Sequence, residues 1–159
     1  MSKRAEMRMT DDEVAGYLVA NTRCRVATIR RDGTPHVVPM SYAVLDGDIT
    51  FWADNLSQKV KNLQRDPRVS VIIDDGVDFQ ELRGVLLTGT AELTTDLAVS
   101  ERVADVFAAK APEEHRAMAK QMLLGLAAER TVVRIRAERT TSWDHRKLGG
   151  AAAPQDVGH

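Results

Sequence analysis

The stretch Ser57 to Arg68, SQKVKNLQRDPR, places a hydroxyl and four cations over little more than three helical turns. The chemistry open to such a set is the holding of an anion. Ser57 reads as a helix N-cap and Pro67 as a stop beyond the helix end. Lys59 and Lys61 then fall near the helix start, where the backbone dipole is already positive, and a lysine there costs a few tenths of a kcal/mol. Lys59, Lys61, Arg65 and Arg68 have Asp66 as their only local acid. A phosphate or carboxylate at the helix start would reverse the sign of that cost and use the free first-turn N–H groups, with Ser57 as a further donor. The competing reading is a solvated charged face, which most charge runs are.

Other chemistry-bearing patterns are absent from the sequence. The four histidines show no H-E-x-x-H spacing, and there is no G-x-S-x-G, paired-cysteine or P-loop motif. His36 and His145 read as structural or solvent-exposed. Cys24, alone of its kind, lies in a predicted strand and reads as a buried, inert thiol.

The composition is that of a globular domain: 159 residues, 43% hydrophobic and 28% charged. A formal net charge of -1 provides no global basic field for nucleic acid or an anionic membrane. No apolar run approaches a membrane span and the N-terminus lacks a signal-peptide core, so a cytoplasmic protein is expected. A single domain over 1–148 and a flexible tail over 149–159, GGAAAPQDVGH, are expected.

The elements around the cationic stretch follow from local signals. MTDDEVAGYLVAN is a helix, with Thr10 and Glu13 as a capping box and Met9 with Val14 as a hydrophobic staple. RCRVATIRR, TPHVVPMSYAVL and DITFWAD read as an antiparallel meander over 23–54, turned at Asp32-Gly33 and Asp46-Gly47. PRVSVIID is a fourth strand and ELRGVLLTGTAELT a fifth, whose Gly84 and Gly89 mark bulges or close approach. Residues 96–128 read as one or two amphipathic helices broken near Ala111-Pro112, and TVVRIRAER as a sixth strand. Six strands with segregated helices predict an α+β fold around a small antiparallel barrel. The second strand is apolar on both faces, so a subunit, a ligand or both must cover the face turned away from the core, and Pro39 places it at an edge or bulge.

RRDGTPHVVPMSY, LSQKVKNLQRDPRVSV and LTGTAEL, in this order, resemble the pyridoxamine 5′-phosphate oxidase-like superfamily from about Thr10 to Trp143. The resemblance implies a six-stranded antiparallel split β-barrel with flanking helices, a homodimer, and flavin or deazaflavin binding. The K-x-K-N-L-x-R-D-P-R signature and the TSWDH ending are most similar to the actinobacterial group, of the B type, that uses the deazaflavin F420. That likeness implies a cofactor ring beside Val38, Pro39, Met40 and Ser41, and a cofactor phosphate on the segment ADNLSQK, from Ala53 through Ser57 to Lys59. Asn62 belongs to the same signature, and Lys61 and Arg65 are expected to meet the anionic oligoglutamate tail of F420. Trp52 either borders the ring or packs, and Trp143 either closes the partner subunit's site or anchors the interface.

The function implied is hydride transfer from reduced F420 to a small unsaturated or quinone-like substrate at the dimer interface, with no metal and no nucleic acid. Because the cofactor carries the difficult chemistry, no acid or base need be visible in the chain. An FMN-dependent oxidase or reductase of the same fold, and a non-catalytic cofactor- or haem-binding protein, are the alternatives.

Overall fold

The computed structural model describes residues 2–148; the expected tail over 149–159 lies outside the described residues. Among the described residues five α-helices, α1 (Lys3–Glu6), α2 (Asp11–Ala20), α3 (Gln58–Arg65), α4 (Leu97–Ala108) and α5 (Arg116–Leu126), flank seven strands. The strands are β1 (Arg23–Ile29), β2 (Pro35–Ser41), β3 (Ala43–Leu45), β4 (Asp48–Asp54), β5 (Arg68–Asp75), β6 (Arg83–Thr94) and β7 (Arg130–Asp144). They form one antiparallel sheet in the order β2-β1-β5-β6-β7-β4-β3. The two ends of that order, β2 and β3, are joined through Tyr42 alone, so the sheet curls until its edges meet at one residue.

The expectation of six strands is therefore corrected to seven. The second predicted strand changes partner at Tyr42: β2 pairs with β1 as far as Ser41 opposite Arg23, and β3 pairs with β4 from Ala43 opposite Thr50. The Tyr42 amide still donates to the Thr22 carbonyl at 3.1 Å, just before β1 begins, and beyond that bond the chain bends to β4. Tyr42 pins the bend, its ring buried and its hydroxyl donating to the Leu18 carbonyl at 2.6 Å. The meander over 23–54 is accordingly two hairpins on opposite edges of the sheet. Asp46 and Gly47 have φ of 52° and 82°, the positive pair that a tight two-residue turn requires.

The last strand is also longer than expected, running to Asp144, because all of β6 pairs with it from Arg83 to Thr94. Trp143 and Asp144 thus lie within the strand. A bulge at Thr88/Gly89 interrupts the pairing, and a side chain on Gly89 would meet the Arg136 carbonyl oxygen at 2.0 Å.

The remaining local signals act as read. Thr10 and Glu13 exchange both capping-box hydrogen bonds, and Met9 is buried with Val14 packed on the same core. The core fills the inside of the curl with Val26, Phe51, Val60, Val71, Val85 and Ile135, all of them buried. A smaller cluster of Leu45, Val103 and Val132 seats α4 against the far edge. Among the described residues, no helix is long and apolar enough to cross a membrane.

Candidate functional site

Helix α3 is set by the turn that precedes it. The Asp54 carboxylate accepts from the Leu56 amide at 2.9 Å, and the Asp54 carbonyl accepts from the Ser57 amide at 3.0 Å. Asn55 ties this turn to the start of β7: its amide donates to the Glu129 carbonyl at 3.1 Å, and its side-chain carbonyl accepts from the Thr131 hydroxyl at 2.7 Å. Asn62, buried inside the helix, donates to Thr28 Oγ1 at 3.0 Å and accepts from Gln58 at 2.8 Å, which docks α3 on β1.

Ser57 has the backbone of an N-cap, but its side chain makes no capping bond. Its Oγ is buried and has no partner. The first-turn N–H groups of a helix have no intrahelical partner, so the Ser57 hydroxyl stands with further donors at the helix start. Lys59 joins them. Burial lowers its pKa, and Arg130 opposes its charge, while Asp54 partly offsets both. Lys61 and Arg65 are exposed and lie one and two turns beyond Ser57 on the same helix flank. Arg65 donates to the Ile29 carbonyl. At the far end of α3 that one local acid is neutralised: Arg68 pairs with Asp66 at 2.7 Å and holds its carboxyl down at about 2.

A second feature adjoins the helix start. Arg30, Arg31, Asp32, His36 and Gln58 line a concavity of about 530 Å³. The Nδ1 of His36 is buried without a partner, and burial first, then the charges of Arg30 and Lys59, lower its pKa. A third unpartnered buried atom, Nε1 of Trp52, belongs to β4, the strand that leads into α3. Three of the four such atoms among the described residues therefore belong to β2, β4 and the start of α3.

Along β2, from His36 to the region of Pro39–Ser41, the polar concavity gives way to an apolar one of about 630 Å³. Its strand wall is Pro39, Met40, Ser41 and Trp52, with Arg23 at the edge. Its helical wall comes from α4 and α5: Phe107, Ala119, Met122, Leu123 and Leu126. Phe107 packs on Trp52 with ring centroids 6.2 Å apart. Lys110, beyond the end of α4, donates to the Tyr42 carbonyl at 3.0 Å and so fastens this wall to the bend between β2 and β3. β2 is an edge strand, as Pro39 predicted. Its outward face, Val37, Pro39 and Ser41, is exposed in the single chain.

The structure thus gathers Pro39, Met40, Ser41 and Trp52 around one cavity, and puts Lys59 at the start of α3 within electrostatic reach of His36 on the same edge strand, while Lys61 and Arg65 are exposed on a flank of the helix other than that of Lys59. Val38 lies half-buried between His36 and Met40 on that strand. Ala53 and Asn62 are interior, and their side chains belong to the core and to the docking of α3. Trp143 stands at the opposite end of β7 from the residues that pair with Trp52, with its ring across Gly84. Sequence reasoning missed Asn55 and Thr131, which hold the turn, and Phe107, Met122 and Leu126, which build the helical wall. The four-residue spacing of Met118, Met122 and Leu126 was the available signal for the last two.

A family model described as pyridoxamine 5′-phosphate oxidase matches residues 10–144, and the chain belongs to that family. Over 92 residues it is 33% identical to a 5a,11a-dehydrotetracycline/5a,11a-dehydrooxytetracycline reductase of Streptomyces rimosus; the match covers 54% of this chain and 64% of that protein. The crystal structure of a conserved hypothetical protein from Mycobacterium tuberculosis is similar with a TM-score of 0.82 and 38% identity, over 100% of this chain and 98% of that one. A structure named as an F420 reductase shares the fold at a TM-score of 0.54 and 24% identity, over 75% of this chain and 88% of that one.

Proposed function

We propose that the chain is an F420-dependent reductase that delivers a hydride to a small unsaturated or quinone-like substrate. The carrying observation is the buried, unpartnered hydroxyl of Ser57 beside Lys59 at the start of α3. These donors fit a phosphate, and the strand wall of the apolar cavity fits a ring, which leaves the helical wall of α4 and α5 to face a substrate stacked on that ring. An elongated cofactor with an anionic end and a planar end suits the surface between the helix start and that cavity. Ser57, Lys59 and the first-turn amides would hold the phosphate; Val38, Pro39, Met40, Ser41 and Trp52 would border the ring.

The preference for F420 over FMN rests on Lys61 and Arg65, which continue the cationic flank beyond where a single phosphate ends. An oligoglutamate tail would use that flank, whereas FMN would leave it unused. The reductase and F420 reductase names of the similar proteins agree with this reading.

When bound and reduced, the deazaflavin supplies a hydride. The residues of the chain do the rest. They fix the cofactor's phosphate end at α3, seat its planar end against an edge strand, and exclude water with Trp52, Phe107 and Met40. Among the described residues that line the apolar cavity there is no acid, base or thiol, so the balancing proton comes from solvent. The exposed apolar residues Val37, Met118 and Met122 support a homodimer whose second subunit closes the site, with Trp143 available to that closure or to the interface. Light scattering on the purified chain tests the dimer.

The function is tested by following oxidation of reduced F420 with a panel of activated enones and quinones. Turnover with F420 and none with reduced FMN is expected. Turnover with FMN alone would move the assignment to a flavin enzyme, and binding without turnover to a storage role.

A further inference from the structure

Resting on the reading of the apolar cavity as the place where the substrate stacks on the cofactor ring, we infer that Arg23 selects substrates that carry an acidic oxygen on a ring-built apolar frame. The cavity, of about 630 Å³, is large enough for a drug-sized molecule. Its walls are aromatic and aliphatic: Trp52 and Phe107 are tilted at 54° to each other, and Met40, Met122 and Leu123 fill the rest. Such walls accept fused or linked rings.

Arg23 is the single charged residue in this lining. Among the described residues its guanidinium makes no ion pair, a state it shares with Arg30, Arg31 and Arg65; what sets it apart is its place in an apolar lining, while its strand neighbour Arg25 is paired with Asp74. A planar fork of donors at the edge of an apolar cavity recognises an oxyanion: an enolate, a phenolate or a carboxylate. Ser41 lies opposite Arg23 on the paired strand and adds a hydroxyl on the same rim. Neither residue belongs to the phosphate end of the site, so substrate charge and cofactor charge are read at separate places.

The test uses 2-hydroxy-1,4-naphthoquinone, an oxyanion at neutral pH, and its neutral methyl ether. Both are titrated calorimetrically into the full chain, with and without saturating F420. The wild type is expected to prefer the oxyanion about ten-fold, the effect of one charge-assisted contact. Arg23→Ala should abolish the preference while leaving affinity for the methyl ether and for F420 unchanged; Arg23→Lys should retain part of it. Equal affinities in the wild type, a preference that survives Arg23→Ala, or binding of neither quinone in either state would overturn the assignment. If the preference holds while F420 fails to bind, the cofactor reading falls and the role of Arg23 stands.

Discussion

The buried amide of Asn62 donates to the hydroxyl of Thr28 at 3.0 Å, so the helix that begins the anion site is keyed to β1 from inside the molecule. Asn62 thereby acts on the site through the placement of Ser57 and Lys59. Thr28→Val keeps the shape and removes the acceptor, leaving a buried amide donor unpaired. A loss of about 1–3 kcal/mol in urea unfolding is expected. An unchanged midpoint would show that α3 is held by Val60 and Leu63 alone.

Ser57 behaves in the opposite way. Its hydroxyl contributes no hydrogen bond to the fold, so Ser57→Ala should leave thermal stability unchanged. The same substitution should weaken cofactor binding about ten-fold, because a donor to a charged group is lost. Lys59→Ala should weaken it further and flatten its dependence on salt. A substitution that lowers stability and spares affinity would assign Ser57 to the fold.

His36 reports on the same charge balance. Its pKa lies below the ordinary 6.5, chiefly through burial and then through Arg30 and Lys59. In the unfolded chain it takes up a proton at higher pH than in the native state. Its stabilising contribution is therefore present above 6.5 and is lost as pH falls through the depressed value. An anion bound beside Lys59 counters the two cations, so the His36 resonance in an NMR titration should move to a higher pKa when cofactor is added. A pKa that stays fixed on binding would place the anion elsewhere.

Gly89 and Gly84 mark two close approaches of β6 to β7. Alanine at Gly89 would meet a backbone carbonyl at 2.0 Å and alanine at Gly84 the Trp143 ring at 2.1 Å. Gly89→Ala should cost at least about 1–3 kcal/mol, since backbone must move. Gly84→Ala should cost less once Trp143→Ala is also present, and a double-mutant cycle by chemical denaturation measures that relief.

Much of this arrangement was legible in the residues. The capping box at Thr10, the turn at Asp46-Gly47, the edge position of Pro39 and the crowding at Gly84 and Gly89 are local signals, and the structure uses each of them. The change of partner at Tyr42 left no such mark. Val38, Met40, Tyr42 and Val44 continue one alternation straight through the bend, and only the far end of β1 dictates that the chain must turn to β4. The extension of β7 through Thr140, Thr141, Ser142 and Trp143 is set by its partner β6 and not by its own polar sequence. The charge conflict at Ser57 and Lys59 was visible because a helix start has a known sign. The helical wall of the cavity was not, because α5 presents apolar residues both to the cavity and to the outside, and its spacing alone does not say which face is which.

The most direct test of the account is a pair of titrations of the purified apo chain, one with F420 and one with FMN, followed by cofactor fluorescence and by tryptophan quenching. Micromolar or tighter binding of F420, clearly weaker binding of FMN, and loss of F420 affinity in Ser57→Ala and Lys59→Ala are the predicted results. Failure of both cofactors to bind, or binding of either that is indifferent to Ser57 and Lys59, would contradict it.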